Sequence, residues 1–330
     1  MTLIIVGRFV HNKIEFGDCR ETMRRWAADG IKVQTCVTSP PYYGLRDYGH
    51  DGQIGLEETP SAYIEAMVEV FKCVWDVLED DGTLWLNIGD SYSSHKDCKS
   101  IPQSLAKGTA KENAHAIDIG KSRVRDSKML KSQGLKNKDL IGIPWMLAFA
   151  LRADGWYLRQ DIIWHKPNPM PESVKDRCTK SHEYIFLLSK SDRYFFDSEA
   201  MREPAIHAGK VAHNGGASEG MCKGYDGHRT RAGLQTPKPV GDTRNRRSVW
   251  TVTTKPYKGA HFATFPPDLI EPCILAGSRP NDIVLDPFMG SGTTAQVALQ
   301  HGRKYLGCEL NQEYEKLQND RLRQKSFQLV

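Results

Sequence analysis

Short apolar runs alternate with amphipathic stretches along much of the chain. Six of these runs are suited to buried strands: Ile31–Val37, Thr83–Ile88, Asp161–Trp164, Tyr184–Leu188, Ile283–Leu285 and Lys304–Cys308. Between them, residues such as Ser61–Leu78 place apolar side chains close to a 3.6-residue period, which predicts an amphipathic helix. Strands that alternate with helices are typical of an α/β fold, with a mostly parallel sheet and helices on both faces.

Two long segments interrupt this alternation. Residues 93–139 are rich in Ser, Lys and Gly, and residues 200–248 contain eight Gly with many Arg, Asn and Thr. Loops of this length inside a compact domain are usually functional or disordered. We therefore expect both segments to be insertions in the α/β domain.

The positive charge of the chain is concentrated in these segments. Residues 93–139 carry 11 Lys or Arg against 5 Asp or Glu, and residues 200–258 carry 11 against 4, although the whole chain has a net charge of only +5. The remainder is therefore acidic. This distribution favours a phosphate-binding surface on the insertions, although solvated loops whose lysines only aid solubility would give the same pattern.

Composition limits the other classes. The 330 residues are 39% hydrophobic, so a core can form, but no apolar run approaches the roughly 18–20 residues that a membrane span needs. The first residues lack a cleavable signal pattern, and we expect a soluble, cytoplasmic protein. The eight Cys show no C-x-x-C spacing, which argues against a zinc or redox site.

A glycine-rich turn late in the chain predicts a cofactor site. The segment 286–294, DPFMGSGTT, follows the strand Ile283–Leu285 and precedes a helical stretch and a strand leading to Glu309. Glycines let the backbone approach a ligand closely, and an acid after the next strand can accept both hydroxyls of a ribose. The G-x-G-x-x-G spacing typical of NAD sites is absent. A carboxylate at Asp286 would suit a ligand that carries a sulfonium and an ammonium.

A stiff aromatic loop near the start of the chain predicts a catalytic site. Residues 38–44, TSPPYYG, follow the strand Ile31–Val37, at the edge where open α/β sheets bind ligands. Pro40 and Pro41 stiffen the loop and leave their carbonyls free to accept hydrogen bonds.

The residue types in this loop suit the methylation of an exocyclic amine. The Ser39 side chain and the Pro40 carbonyl would hold the two N–H bonds and direct the nitrogen lone pair at a methyl donor. Tyr42 would stack on a base rotated out of the duplex, because the amine is unreachable inside the stack. Tyr43 is a second candidate for stacking.

These segments resemble those of the amino-directed DNA methyltransferases of bacteria and phages. Ser39–Tyr42 matches the catalytic motif, and Asp286–Thr294 matches the cofactor motif. The catalytic motif comes first here, an order similar to that of the β class. The resemblance implies a Rossmann-like, circularly permuted fold, S-adenosylmethionine as cofactor without a metal, and double-stranded DNA as partner. It leaves open a homodimer and a cognate restriction enzyme.

The resemblance also implies a domain order and a set of site residues. Residues 1–198 would form the catalytic half, with the basic insertion 93–139, residues 199–250 the target-recognition region, and residues 251–330 the cofactor half. The predicted catalytic residues are Ser39, Pro40, Pro41 and Tyr42. The predicted cofactor-binding residues are Asp18, His261, Phe265, Asp286, Pro287, Phe288, Gly290, Ser291, Gly292, Thr293 and Glu309. The candidates for DNA contacts are Tyr43, His165, Lys166, Arg244, Arg246 and Arg247.

The target base is less strongly determined. In the family, Ser at the first position of the catalytic motif usually accompanies N4 of cytosine, and Asp or Asn accompanies N6 of adenine, so Ser39 favours cytosine. Both residue types supply an acceptor, and adenine remains an alternative. Further alternatives are RNA or a protein glutamine amide as substrate, and an inactive DNA-binding protein with this fold. Cys273, after Pro272, is interpreted as a packing residue rather than a nucleophile for cytosine carbon 5.

Overall fold

The computed structural model describes residues 11–45, 49–50, 52–93, 134–206, 208, 241–254 and 265–323. The greater part of both predicted insertions lies outside these ranges, as does His261. The chain divides into two units, one formed by Met1–Asp197 with Ser248–Val330 and the other by Ser198–Arg247.

The secondary structure follows the predicted alternation. The strands are β1 (Lys13–Phe16), β2 (Val33–Thr38), β3 (Leu78–Ile88), β4 (Tyr157–His165), β5 (His182–Ser189), β6 (Arg202–Pro204), β7 (Thr243–Asn245), β8 (Val249–Thr251), β9 (Ile283–Asp286) and β10 (Lys304–Glu309). The helices are α1 (Cys19–Ala28), α2 (Pro60–Val77), α3 (Ile143–Ala153), α4 (Pro267–Gly277), α5 (Thr293–Gln300) and α6 (Tyr314–Arg323). All six strands predicted from apolar runs are present.

The first unit is built on one eight-stranded sheet. The strand order is β1-β10-β9-β2-β3-β5-β4-β8, and β5 alone runs antiparallel to its neighbours. Helices α1, α2 and α3 pack in sequence against one another, and α4, α5 and α6 form a second such group. The expected α/β fold with a mostly parallel sheet is confirmed.

Local sequence explains the longest helix. The Thr59 hydroxyl accepts a hydrogen bond from the Ala62 amide at 3.0 Å, and Pro60 occupies the first turn, where its missing N–H costs nothing. Tyr63, Met67 and further apolar residues at helical spacing are buried against the sheet core.

The pairing of β2 with β9 joins the two ends of the sequence. Cys36 lies opposite Leu285 in a parallel register. Because the carboxyl ends of parallel strands meet at one edge of the sheet, the loop after β2 and the glycine turn after β9 emerge side by side. This pairing positions the candidate site.

The second unit contains a short antiparallel pair, β6 with β7, in which Glu203 lies opposite Arg244. The Glu203 carboxylate accepts hydrogen bonds from Arg244 Nε at 2.8 Å and from Arg247 Nε at 3.1 Å. Two of the three arginines predicted to contact DNA are therefore ion-paired on this hairpin.

Neither a membrane span nor a metal-binding cluster occurs in the described ranges. No helix there is long and apolar enough to cross a bilayer. Those residues also contain no group of three or more His, Cys, Asp or Glu arranged to hold a metal ion.

Candidate active site

A cleft of about 770 Å³ lies at the edge of the sheet where β2 and β9 end. Its walls bring together residues that are far apart in the sequence. Of the predicted site residues, it is lined by Asp18, Ser39, Pro40, Pro41, Tyr42, Lys166, Phe265, Pro287, Phe288, Gly290 and Glu309. The catalytic loop and the cofactor turn therefore share one cavity, as the sequence predicts.

Two hydrogen bonds hold the backbone of the catalytic loop in place. The hydroxyl of Tyr63, a fully buried residue of α2, donates a hydrogen bond to the Pro41 carbonyl at 2.9 Å. The Gly44 amide donates to the Gly55 carbonyl at 2.7 Å. Gly55 has φ +106, a conformation that L side chains rarely adopt, and a Cβ there would lie 3.3 Å from Pro41 Cβ. The loop is thus held by two hydrogen bonds, and the glycine at position 55 lets the backbone there approach Pro41 closely.

The Tyr42 ring is oriented by an acid that the sequence analysis did not identify. The Tyr42 hydroxyl donates to Glu183 Oε2 at 2.7 Å. Burial, together with the negative charge of Glu183, raises the pKa of Tyr42 well above its usual value. The other carboxylate oxygen of Glu183 pairs with Lys166, whose ammonium also lies 4.1 Å from the centre of the Trp164 ring. Glu183 thereby fixes two cleft residues at once.

The sheet topology explains the position of Glu183. Since β5 is antiparallel, its first residues rather than its last lie at the carboxyl edge of the parallel strands. Glu183 is the second residue of β5 and stands opposite Trp164 of β4. Asn87, near the end of β3, donates to the Tyr184 carbonyl at 3.0 Å and approaches Glu183 Oε2 at 3.5 Å.

At the cofactor turn, Glu309 is oriented by two backbone amides. Gly290 N donates to Oε2 at 2.7 Å and Asn311 N donates to Oε1 at 2.9 Å. Burial raises the pKa of Glu309 above its usual value. Each oxygen keeps further lone pairs, so the carboxylate can accept further hydrogen bonds, and its contact with a ribose stays a prediction.

Asp286 does not occupy the position expected for it. Its carboxylate is 1% exposed and is absent from the cleft wall. Thr38 and Thr294 each donate to it at 2.6 Å, and the Phe288 amide donates at 3.0 Å. Burial raises the pKa of Asp286 to about 6. Through these hydrogen bonds Asp286 connects the end of β2 to the glycine turn. Its carboxylate is buried behind the cleft wall and does not face the positive groups of a ligand.

Three further residues of the turn serve its shape. Ser291 and Thr293 are buried, and the Thr293 hydroxyl accepts a hydrogen bond from Arg321. Gly292 has φ +85 at the start of α5, with Gln318 packed against it. None of the three lines the cleft, which corrects their assignment as cofactor contacts. Pro287, Phe288 and Gly290 are the residues of the turn that line the cleft.

Asp18 stands at the cleft as the N-cap of α1. Its carboxylate accepts from the Arg20 amide at 2.7 Å and pairs with the Arg20 guanidinium. The hydrogen bond from Arg20 lowers the pKa of Asp18. The side chain is therefore a fixed, ionised acceptor at the cleft wall.

The candidates for DNA contacts differ in their positions. Tyr43 is 2% exposed, its ring centre lies 5.5 Å from that of Tyr63, and its hydroxyl donates to the Glu58 carbonyl at 3.3 Å. The prediction that Tyr43 stacks on a base is wrong, because the ring belongs to the core. His165 lies outside the cleft wall, with Nδ1 at 3.1 Å from Thr251 Oγ1. Lys166 lines the cleft.

Cys273 is buried, and its thiol approaches the Leu269 carbonyl of the preceding helical turn at 3.7 Å. It does not line the cleft. The interpretation of Cys273 as a packing residue agrees with this position.

The Rossmann-like fold is shared with solved methyltransferases. The PvuII DNA methyltransferase, described as cytosine-N4-specific, superimposes with a TM-score of 0.58 at 17% identity over 94% of this chain and 86% of that one. A putative DNA modification methylase from Thermus thermophilus, solved with S-adenosyl-L-methionine, gives a TM-score of 0.55 at 22% identity over 96% and 95% of the two chains.

Sequence comparison gives the family. Residues 33–320 match the family model described as DNA methylase. The Type II methyltransferase M.XycI of Xanthomonas campestris pv. cyanopsidis is 47% identical over 95% of this chain and 88% of its own length. The chain belongs to the DNA methylase family of N6- and N4-directed enzymes.

Proposed function

We propose that this DNA methyltransferase moves a methyl group from S-adenosylmethionine to N4 of a cytosine that is rotated out of a specific DNA site. The observation that carries the proposal is the single cleft that Ser39, Pro40 and Tyr42 share with Phe288 and Glu309. The amine acceptors and the cofactor turn both line this cleft.

The residues of the cleft fit the cofactor. S-adenosylmethionine supplies a methyl group on a positively charged sulfur. Glu309 would accept the ribose hydroxyls with its oriented oxygens, and Asp18 and Phe288, which line the same cleft, would contact the rest of the cofactor. A volume of about 770 Å³ lies within the range of roughly 300–1,000 Å³ common for ligand pockets.

The catalytic loop acts on the base. The Ser39 hydroxyl and the Pro40 carbonyl accept the two amine protons in hydrogen bonds, which turns the nitrogen lone pair toward the methyl group. The new N–C bond would form as the bond from that carbon to the cofactor sulfur breaks, which leaves S-adenosylhomocysteine, and the methylated amine would release one proton to water. The hydrogen bond of Tyr63 to the next carbonyl, that of Pro41, keeps this backbone from moving. Tyr42 stacks on the base with its ring direction set by Glu183. These residues gain rate by positioning and electrostatics.

Cytosine is proposed over adenine because Ser39 stands first in the catalytic motif. The PvuII enzyme, whose fold is similar, is described as cytosine-N4-specific. The alternative is N6 of adenine, which the same two acceptors would also hold.

We further propose that residues 199–250 recognise the target sequence, aided by the basic insertion 93–139. Arg244 and Arg247 share Glu203 on the β6–β7 hairpin, and exchange of that partner for phosphate would bring two positive charges to the DNA backbone. M.XycI is described as a Type II methyltransferase. A homodimer and a cognate restriction enzyme are the further partners that the family suggests.

Methylation-aware sequencing of DNA from cells that express the chain tests the function directly. We expect N4-methylcytosine within one short recurring sequence, and none in cells that express the Ser39→Ala variant. N6-methyladenine at a recurring site would replace the cytosine proposal with the adenine one. Folded protein that leaves DNA unmodified, and that binds DNA but no cofactor by calorimetry, would support an inactive DNA-binding protein. Tritium transfer to RNA in a parallel assay would point to an RNA substrate.

A further inference from the structure

An exposed methionine stands at the rim of the cleft. Met170 is 84% exposed, the largest value for a large hydrophobic side chain in the ranges that the structure describes. It lines the cleft together with Pro169 and Pro171. An apolar side chain held in water at a binding site gains free energy when a partner covers it.

The backbone that carries Met170 is stiff. Pro169 and Pro171 fix their own φ angles, and Pro171 also restricts Met170, the residue before it. Just upstream, Asn168 forms two hydrogen bonds with the backbone of Thr254, from Nδ2 to the carbonyl at 3.2 Å and from the Thr254 amide to Oδ1 at 3.1 Å. Met170 therefore projects from a pinned loop that follows β4.

The loop lies beside the residues that are proposed to act on the base. Lys166, four residues before Met170, lines the same cleft and is held there by its ion pair with Glu183. Proteins that open or kink DNA frequently insert an apolar side chain, methionine among them, between base steps. Methionine suits this role because its unbranched, polarisable side chain adapts to aromatic surfaces.

We propose that Met170 enters the base stack and fills the space that the target cytosine leaves when it rotates into the cleft. The inference rests on the proposed function, since only an enzyme that extrudes a base needs such a wedge. In the intact duplex, extrusion of the cytosine breaks its base pair and removes it from the base stack, and both changes cost free energy. Met170 replaces part of the lost stacking and so favours the extruded state.

The test compares two DNA substrates that differ only in the cost of extrusion. One is a fully paired duplex with the recognition site found by sequencing, and the other carries an abasic position opposite the target cytosine. On the paired duplex we expect Met170→Ala to lower kcat/KM by about 10- to 100-fold, because unstacking is costly there. On the abasic duplex we expect a loss of less than about 3-fold, because the missing partner already lowers the total cost of extrusion, so that the stacking supplied by Met170 no longer limits the rate. Met170→Leu should retain most of the wild-type rate on both.

A matched control is available on another surface. Met146 of α3 is also exposed, at 37%, and does not line the cleft, so Met146→Ala should leave both rates unchanged. The Met170→Ala variant should keep the wild-type melting temperature, because the side chain is already in water.

An equal loss on both duplexes would overturn the wedge and make Met170 a contact of the base or of the cofactor. A Met170→Ala enzyme that methylates the paired duplex at the wild-type rate would overturn the wedge as well. Leu45 is another exposed residue of the cleft wall. If Leu45→Ala, and not Met170→Ala, loses activity on the paired duplex and regains it on the abasic duplex, the wedge is Leu45. Wild-type enzyme that methylates neither duplex would overturn the proposed function itself, and the inference with it.

Discussion

Replacement of Glu183 by Gln tests whether this acid acts through Tyr42. Glu183→Gln keeps the size of the side chain and one acceptor oxygen but removes the negative charge. The Tyr42 hydroxyl, which donates to Glu183 Oε2 at 2.7 Å, would then donate to a neutral amide. Lys166 would lose its ion partner. Glu183 touches neither reacting atom in this mechanism and is a positioning residue.

The size of the effect follows from the kind of hydrogen bond that is lost. A bond to a charged group contributes about 1.5–3 kcal/mol net, whereas a neutral one contributes about 1 kcal/mol. The variant therefore holds Tyr42 less tightly by about 0.5–2 kcal/mol. If the full loss appears in the transition state, kcat falls by about 2- to 30-fold. Tyr42→Phe removes the whole bond but keeps the ring that stacks on the base, so we expect a larger loss, of about 1.5–3 kcal/mol or about 10- to 150-fold in kcat.

A double-mutant cycle separates positioning from independent roles. Tritium transfer is measured under saturating DNA and cofactor for the wild type, Glu183→Gln, Tyr42→Phe and the double variant. If Glu183 acts through the Tyr42 hydroxyl, the double variant loses no more than the less active single variant. Melting temperatures of all four proteins show whether the fold is intact.

Additive losses in the double variant would refute this reasoning, because each residue would then contribute separately. A Glu183→Gln enzyme within about 2-fold of the wild-type kcat would also refute it, because the charged bond would then contribute less than expected. Lys166→Met serves as the control for the lost ion pair. If Lys166→Met alone reproduces the whole loss, the effect of Glu183 runs through Lys166 rather than through Tyr42.

Three further predictions concern other contacts of the cleft. Asp286→Asn should change the pH dependence of unfolding. Burial raises the Asp286 pKa from 3.8 to about 6 in the folded state. The contribution of Asp286 to the free energy of unfolding is therefore full below pH 3.8 and is lost as the pH rises through 6. Urea denaturation should therefore show wild type losing about 1 kcal/mol relative to the variant between about pH 5 and 7. Glu309→Gln should weaken S-adenosylmethionine binding by about 10-fold in calorimetry, because charged hydrogen bonds to the ribose are lost. Gly89→Ala should lower kcat by at least about 10-fold in tritium transfer, because the added Cβ would lie 2.7 Å from Tyr42 Cε2.

Each of these predictions has its own contradicting result. A pH-independent difference between wild type and Asp286→Asn would mean that Asp286 does not titrate in this range. For Glu309, the control is Glu313→Gln, an exposed acid outside the cleft, and equal affinities of the two variants would exclude a ribose contact. For Gly89, unchanged kcat would show that the Tyr42 ring can shift without loss, and reduced cofactor affinity would point to a wider disturbance.

The central sheet could be predicted from the sequence because its strands are buried on both faces. In β5 the four residues Ile185–Leu188, IFLL, are all buried, so this part of the strand appears as a continuous apolar run. The elements that were missed lie at the periphery. In β1, KIEF, polar and apolar residues are mixed over only four positions, and α1 carries five charged or polar side chains in its first seven residues, CRETMRR. Such short or polar segments are stabilised by tertiary packing.

The site was predicted in its location but not in the orientation of its side chains. The motifs placed Ser39 and Glu309 at the cleft, because strand ends and turns are visible in a sequence. Whether Asp286 or Tyr43 faces the ligand or the core depends on backbone direction within a turn, which residue types alone do not determine. Glu183 was missed because its contact with Tyr42 spans 141 positions and depends on β5 being antiparallel. An acid at the start of an otherwise apolar strand was the only signal.

The β2–β9 pairing also bears on how the enzyme is made. The hydrogen bond between Thr38 and Asp286 joins residues 248 positions apart, and contacts of such long separation form late, because the loop between them must close first. During synthesis, the aromatic loop leaves the ribosome long before its partner strand exists. A nascent chain that lacks β9 and β10 lacks the cleft wall formed by Phe288 and Glu309. Translation through β10 is therefore needed before the cleft can form.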